Sequence, residues 1–269
     1  MIKMISGLNP TLSEISKLKY EYRITKDIHS KGIVNVIDFL EYDNRYFLVK
    51  EDFRGETLKE YINKVFRVKL IDFLEISIQL ANIVNDIHSQ NIIHKDINPL
   101  NILINPETKE VKITDFSIST SLESEAQLPL DSKNIEGTPS YISPEQTGRI
   151  NRCIDNRSDL YSLGITLYEM IAGNLPFCSN DLLELVHSHL TVEAKKPHEI
   201  VPEIPFVISL LIMKLMSKDA DDRYQSALGL LHDLNICFRE LSVSGRVNNF
   251  SLAQKDQSNK LYIPQKNLW

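Results

Sequence analysis

The chain has 269 residues, 42% of them hydrophobic and 25% charged, a balance ordinary for a globular protein with a sizeable core. A formal net charge of −6 and the lack of a long basic run argue against nucleic acid as a partner. Cys153, Cys178 and Cys237 lie far apart without metal-ligand spacing and read as reduced thiols. The start Met1-Ile2-Lys3-Met4 has no signal-peptide pattern, and the strongest apolar run, Phe206 to Met213, is too short to span a bilayer, so a cytoplasmic protein with no membrane partner is expected.

In chain order, Met1 to Ile5 reads as a strand and Thr11 to Ile28 as a helix. Thr11-Leu12-Ser13-Glu14 has the form of a capping box, in which hydroxyl and carboxylate each satisfy an orphan backbone N–H. Ile15, Leu18, Tyr22 and Ile28 then form an apolar stripe. Ile33 to Glu41 and Arg45 to Glu51 are strand-like, joined as a hairpin by Tyr42-Asp43-Asn44. From about residue 57 the pattern turns helical. Asp72 is the predicted cap of a helix with Phe73, Ile76, Leu80, Ile83 and Ile87 on one face. Two short strands follow, Asn101 to Ile104 and Val111 to Thr114. Leu160 to Ile171 is apolar on nearly every side, the mark of a helix buried at the centre of a lobe. Amphipathic helices continue to about Leu241, and 242–269 reads as a polar linker; there is no internal repeat. The expectation is an α+β chain of two lobes, residues 1–53 and 54–241, with a ligand cleft between them.

The chemistry concentrates in His94-Lys95-Asp96-Ile97-Asn98-Pro99-Leu100-Asn101, and Asp115 follows fourteen residues after Asn101 within Ile113-Thr114-Asp115-Phe116-Ser117. Phosphoryl transfer needs a carboxylate to accept a hydroxyl proton, and a carboxylate with an amide oxygen to hold Mg²⁺ against phosphates. A strand pair between Asn101 and Asp115 would bring two such metal ligands together. Read one residue at a time, Asp and Asn are equally at home in surface turns.

As an ordered set, these residues resemble the protein-kinase catalytic loop H-R-D-x-x-x-x-N and the D-F-G metal motif. Gly137-Thr138-Pro139-Ser140-Tyr141-Ile142-Ser143-Pro144-Glu145 resembles the end of a Ser/Thr-kinase activation segment, and Asp159-Leu160-Tyr161-Ser162-Leu163-Gly164 the start of the family's buried central helix. Leu175-Pro176-Phe177 and Asp222-Arg223-Tyr224 match further motifs, and the likeness covers about residues 1 to 240. It implies a bilobal kinase fold that phosphorylates protein Ser/Thr, with ATP and Mg²⁺ as cofactors. By position, Asp96 would be the base, Asn98 would lie by the transferring phosphate, and Thr138 would contact Asp96 and shape the substrate groove. Asn101 and Asp115 would bind Mg²⁺; Lys3 would hold the α/β-phosphates and be held by Glu21. Glu51 and Phe53 would offer backbone groups to adenine, and Leu103 would lie under its ring. Glu145 with Arg223, and Asp159 under the catalytic loop, would be structural.

Several positions depart from the pattern. No glycine-rich loop is found: no two glycines are closer than nine residues, and the chain reads as starting after the first two strands. Asn98 stands where Ser/Thr kinases usually have lysine, Lys95 replaces the H-R-D arginine, and Ser117 replaces the D-F-G glycine. Lysine cannot bind phosphate bidentately, which weakens the expectation of activation by phosphorylation, although Ser117, Ser119, Thr120, Ser121, Ser124 and Ser132 offer hydroxyls. Lys50 falls at the gatekeeper position, where a buried lysine needs a carboxylate, Glu21 or Asp115. The match is nearest to the N-terminal kinase domain of large bacterial signalling proteins, in which a P-loop ATPase and often a sensor histidine kinase follow; Gln257 to Leu268 resembles the linker into that ATPase. The expected partners are a protein substrate and such modules. A regulatory pseudokinase or inactive fragment is the alternative; a small-molecule phosphotransferase is a further one, against which the 137–145 segment argues.

Overall fold

The structure, a computed structural model, describes residues 1–5, 10–65, 67–125 and 136–256. Its small lobe is a three-stranded antiparallel sheet with one helix. Strand β1 (Ile2–Met4) pairs with the middle strand, placing Lys3 opposite Leu48. Helix α1 (Leu12–Asp27) starts at the expected capping box, with Thr11 Oγ1 accepting from Glu14 N at 3.2 Å and Glu14 Oε2 accepting from Thr11 N at 2.8 Å. Strands β2 (Val36–Tyr42) and β3 (Arg45–Lys50) complete the sheet in the order β1-β3-β2. The hairpin loop is one residue tighter than the sequence suggests. Tyr42 pairs with Arg45, and only Asp43 and Asn44 turn, both with positive φ (49° and 55°). That geometry matches the twist of the strands and suits Asp and Asn.

The buried face of α1 is unusual: it consists of Leu18, Glu21 and Thr25. Leu18 packs with Tyr46 and Leu48, flanked by the half-buried Ile15, Tyr22, Val36 and Phe39, while Ile28 at the helix end joins the core of the large lobe. The connection after Ile28 lies against the large lobe. Val34 N donates to Ile113 O at 2.9 Å and Ile113 N to Gly32 O at 2.8 Å. A Cβ on Gly32 would sit 2.1 Å from Ile83, so only glycine lets this segment press onto the helix below.

The large lobe opens with β4 (Glu56–Thr57), α2 (Leu58–Val65) and α3 (Leu70–Ser89). Helix α3 begins behind Lys69, not at Asp72 as the sequence suggested; Asp72 lies in the first turn, where a carboxylate also favours the helix dipole. All five predicted face residues of α3 are buried. After β5 (Ile92–Ile93), strands β6 (Ile102–Ile104) and β7 (Val111–Ile113) form the hairpin that returns the chain from Asn101 to Asp115. Strand β8 (Thr120–Ser121) pairs with β5 and leads into α4 (Leu122–Glu125).

Helix α5 (Asn156–Ala172) is buried from Ser158 to Ala172, the central helix expected from its all-round apolarity. Gly164 lets it approach α8 (Phe206–Leu215), since a Cβ there would lie 2.7 Å from Leu215 Cβ. Helices α6 (Leu182–Thr191) and α7 (Pro197–Ile200) flank it. Helix α9 (Ala227–Ser244) packs along α3. The stretch 242–256, read from the sequence as the start of a linker, is instead built into the lobe. Val247, Phe250, Leu252 and Ala253 lie on the core, and the Asp256 carboxylate accepts from Gln225 N (2.6 Å), Ser226 N (3.0 Å) and Ser226 Oγ (2.7 Å) at the start of α9. Residues 257–269, with the resemblance drawn from them, lie outside the described residues, as does Ser132. Among the described residues, no helix is long and apolar enough to cross a membrane.

Candidate active site

The loop from β5 to β6 is fixed from below by Asp159, in the first turn of α5. Its carboxylate accepts from His94 N and Lys95 N, both at 2.8 Å, and lies 2.9 Å from His88 Nε2. Burial pushes the Asp159 carboxyl up, but His88 and the His94 N–H outweigh it and hold it below the ordinary carboxylate value. Lys95 has φ +69°, a left-handed conformation disfavoured for a side chain with Cβ; Gln146 Nε2 donating to Lys95 O at 2.7 Å adds to its restraint. The result is to aim Asp96, the next residue.

Asp96 is surrounded by donors. Its Oδ1 accepts from Thr138 N at 2.8 Å and Asn98 Nδ2 at 3.0 Å, and its Oδ2 from Asn101 Nδ2 at 2.8 Å. Asn98 Nδ2 also lies 3.1 Å from Thr138 Oγ1. Sequence positions 96, 98, 101 and 138 thus meet at one carboxylate. Asn101 uses its Nδ2 on both Asp96 Oδ2 and Asp96 O (2.9 Å), so its amide oxygen takes no part in these bonds.

Asp115, also at φ +69°, ends a chain of alternating charges. Lys50 Nζ donates to Glu21 Oε1 (2.7 Å), Lys3 Nζ to Glu21 Oε2 (2.8 Å), and Lys3 Nζ again to Asp115 Oδ1 (2.7 Å). Glu21 is fully buried, and of the two carboxylates suggested for Lys50 it is the partner used. Lys50 also donates to Thr114 Oγ1 at 3.0 Å. Burial works to raise the Asp115 carboxyl, but the Lys3 ammonium overrides it and holds the group at about 2. Lys3 shows the converse: burial opposes its charge, and Glu21 and Asp115 together raise it above the ordinary value. Asp115 Oδ2 takes no part in these bonds, and Thr114 N donates to the Asn101 backbone oxygen at 2.9 Å, so Asn101 and the residue before Asp115 are neighbours; their side chains, those of Asn101 and Asp115, offer hard oxygen from one carboxylate and one amide. That suits a Mg²⁺ completing its shell with phosphate and water. Among the described residues, no group of three or more His, Cys, Asp or Glu could hold a metal by itself.

The remaining predicted residues gather around Lys112 of β7. Lys112 Nζ pairs with the Glu51 carboxylate and lies 5.7 Å from the Phe53 ring centroid, and Leu103 is its cross-strand neighbour. Burial raises the Glu51 carboxyl, but Lys112 and Asn35 outweigh it and lower the group. Glu145 and Arg223 form a bidentate buried pair at 2.7 and 2.9 Å. Four participants were not assigned a role from the sequence: His88, Gln146, and the two acids that meet Lys95, Glu125 and Glu136. Lys95 Nζ donates to Glu136 Oε2 at 2.8 Å and Glu125 Oε2 at 3.4 Å. Gln146 stood directly after a matched segment, so its position was in view; the others carry no local signal, being separated from their partners by 30 residues or more.

A sequence profile described as protein kinase domain matches residues 2–236. The chain belongs to the protein kinase family. Among relatives, this kinase domain is 33% identical to a probable serine/threonine-protein kinase of Clostridium perfringens, over 93% of this chain and 36% of that protein. It is 31% identical to the serine/threonine-protein kinase PrkC of Bacillus subtilis, over 83% of this chain and 34% of that one. It is 35% identical to hybrid signal transduction histidine kinase G of Dictyostelium discoideum, over 64% of this chain and 7% of that protein. The kinase domain therefore spans about a third of the length of the two bacterial relatives.

Proposed function

We propose that this kinase domain transfers the γ-phosphoryl group of ATP to serine or threonine hydroxyls of a protein. The observation that carries the reading is the single carboxylate of Asp96, held by Thr138 N, Asn98 and Asn101, on a loop whose Asn101 backbone oxygen accepts from Thr114 N, next to Asp115. Bound Mg²⁺ would neutralise charge on the phosphates. Asn101, through its amide oxygen, and Asp115 would hold that metal; Lys3, steadied by Glu21, would hold the α/β-phosphates. The Glu51 and Phe53 backbone would meet adenine over Leu103. Asp96 would accept the proton of the attacking hydroxyl as its oxygen bonds to phosphorus and the bond to ADP breaks. Asn98 would donate a neutral hydrogen bond to the transferred group, and Thr138 would keep Asp96 aimed at the peptide. A cavity of ≈ 310 Å³ lined by Ser140, Leu175, Cys178, Ser179 and Asn180 opens two residues beyond Thr138 and would take part of that peptide.

We further read residues 1–53 and 54–241 as the two lobes of the catalytic unit and 242–269 as the connection onward, its first part clasped to the lobe. A cytoplasmic setting, with neither nucleic acid nor membrane as partner, fits this reading. The name of the Dictyostelium relative supports a place beside histidine-kinase modules in one signalling protein; an ATPase module between them is part of this reading on the resemblance alone. One observation favours a regulatory binding module instead: Lys3 and Asp115 are already paired with each other. Asp96→Asn separates the two. Phosphate transfer to a generic protein substrate should fall by ~10²–10⁴-fold while affinity for a fluorescent ATP analogue stays within about twofold. Nucleotide binding with no transfer even by the wild type would favour the binding module.

A further inference from the structure

Lys50 is a lysine at 4% exposure, far drier than most lysines, yet no part of the reaction above uses it. Its ammonium makes two contacts, to Glu21 Oε1 on α1 and to Thr114 Oγ1, the residue before Asp115. Backbone bonds fix its position as well: Met1 N donates to Lys50 O at 2.9 Å and Lys50 N to Met1 O at 2.8 Å, tying it to the strand that carries Lys3. One residue, by its side chain and its backbone together, is therefore joined to all three elements that deliver Glu21, Lys3 and Asp115.

The charge count explains why it matters. Lys50, Lys3, Glu21 and Asp115 form a chain of two cations and two anions with no net charge. Lys3 is the one shared between two carboxylates, and it is a third exposed, while Lys50 is almost wholly enclosed. When a phosphate and its metal take over Lys3 and Asp115, Glu21 stays buried and ionised beside a lysine whose charge is now directed elsewhere. A buried carboxylate losing its counter-ion is costly. Lys50 removes that cost because it does not have to leave.

We propose that Lys50 is a positioning residue for nucleotide phosphate: it is the permanent counter-ion of Glu21, and so lets Lys3 give its charge to the α/β-phosphates while Glu21 still steadies it. This rests on the nucleotide-site reading above. Without Lys50, the cluster facing a polyanion carries one net negative charge, and Glu21 competes with the phosphates for the single remaining lysine. An uncompensated unit charge within several ångströms of phosphate, at an effective dielectric near 20, changes affinity by roughly tenfold or more.

The test compares Lys50→Met, which keeps much of the volume, and Lys50→Arg, which keeps the charge, with wild type. Calorimetry would measure Mg²⁺-ATP, and separately adenosine, which has no phosphate. The expected result is an ATP affinity reduced about tenfold in Lys50→Met and largely restored in Lys50→Arg, with adenosine affinity within about twofold throughout. Equal losses for ATP and adenosine would make Lys50 merely structural, and an unchanged ATP affinity in Lys50→Met would overturn the assignment outright. A second measurement uses only wild-type protein: amine acylation read by mass spectrometry with and without Mg²⁺-ATP. Lys3 should become protected while Lys50 stays slow in both. Lys50 turning reactive on ATP addition would overturn the proposal even if the variants fail to fold. Wild type that binds adenosine and ATP equally, with no protection of Lys3, would instead sink the phosphate-site reading and this inference with it.

Discussion

Helices α1 and α5 are almost the same length, 16 and 17 residues, and are held in opposite ways. Helix α5 is enclosed along nearly its whole length by apolar side chains, with Gly164 admitting α8 at close range and the Glu145–Arg223 pair closing its N-terminal end through Ser158. Helix α1 buries only three residues, and the middle one is a carboxylate. Dispersion and the hydrophobic effect hold α5, and neither depends on a charge being bound or removed nearby. The inward position of α1 depends on two ammonium groups meeting Glu21. A helix held by charge can be released by a change of charge, which suits the element that must carry a phosphate-binding lysine's partner; a helix held by packing suits the platform under the catalytic loop.

The sharpest way to break this contrast is on the packed side. Arg223→Met would leave Glu145 ionised, buried and unpaired, and should cost about 3–5 kcal/mol of large-lobe stability, read as a lowered urea midpoint. A loss near zero would mean that water reaches the pair and that α5 is less enclosed than its neighbours make it. On the other side, Leu18→Ala removes one of three buried apolar residues in the small-lobe cluster. Its cost should lie near the lower end for such truncations, about 2 kcal/mol, because a small cluster collapses easily around the gap. Hydrogen exchange should then show α1 and β3 losing protection while α5 keeps its own; uniform loss would show that the two lobes unfold as one unit.

The smallest expected effect concerns pH. Asp115 is held at about 2 by Lys3, below the ordinary carboxylate value, so it contributes stability above pH ~4 that is lost as the pH falls toward 2. The small lobe should therefore lose protection in that window. In Lys3→Met, burial is left without its main opponent, and the Asp115 carboxyl should titrate at or above ~4 by carbon-detected NMR. An unmoved titration would mean that Lys50, which also lowers Asp115, is enough by itself.

The sequence by itself determined much of this protein. Periodicity located α1 and α3, because a buried helix face needs apolar residues at fixed intervals whatever it packs against, and all-round apolarity located α5. The capping box marked the start of α1 through a bond within four residues. Local patterns misled where neighbouring residues offered equivalent choices: Asp72 against Lys69 as the start of α3, and a three- against a two-residue hairpin loop. Resemblance marked Asp96, Asn98, Asn101, Asp115 and Thr138 as a set, and the fold gathers Asp96, Asn98, Asn101 and Thr138 at one carboxylate. Only the tertiary structure decided which carboxylate Lys50 uses, that Lys95 meets Glu125 and Glu136, that His88 reaches Asp159, and that Asp256 returns to the start of α9. A buried charge must find an opposite charge or a donor, but sequence states only the need. Partners 29 to 71 residues apart are chosen by how the helices and sheet pack, and that choice is made by the large apolar core rather than by the charges it brings together.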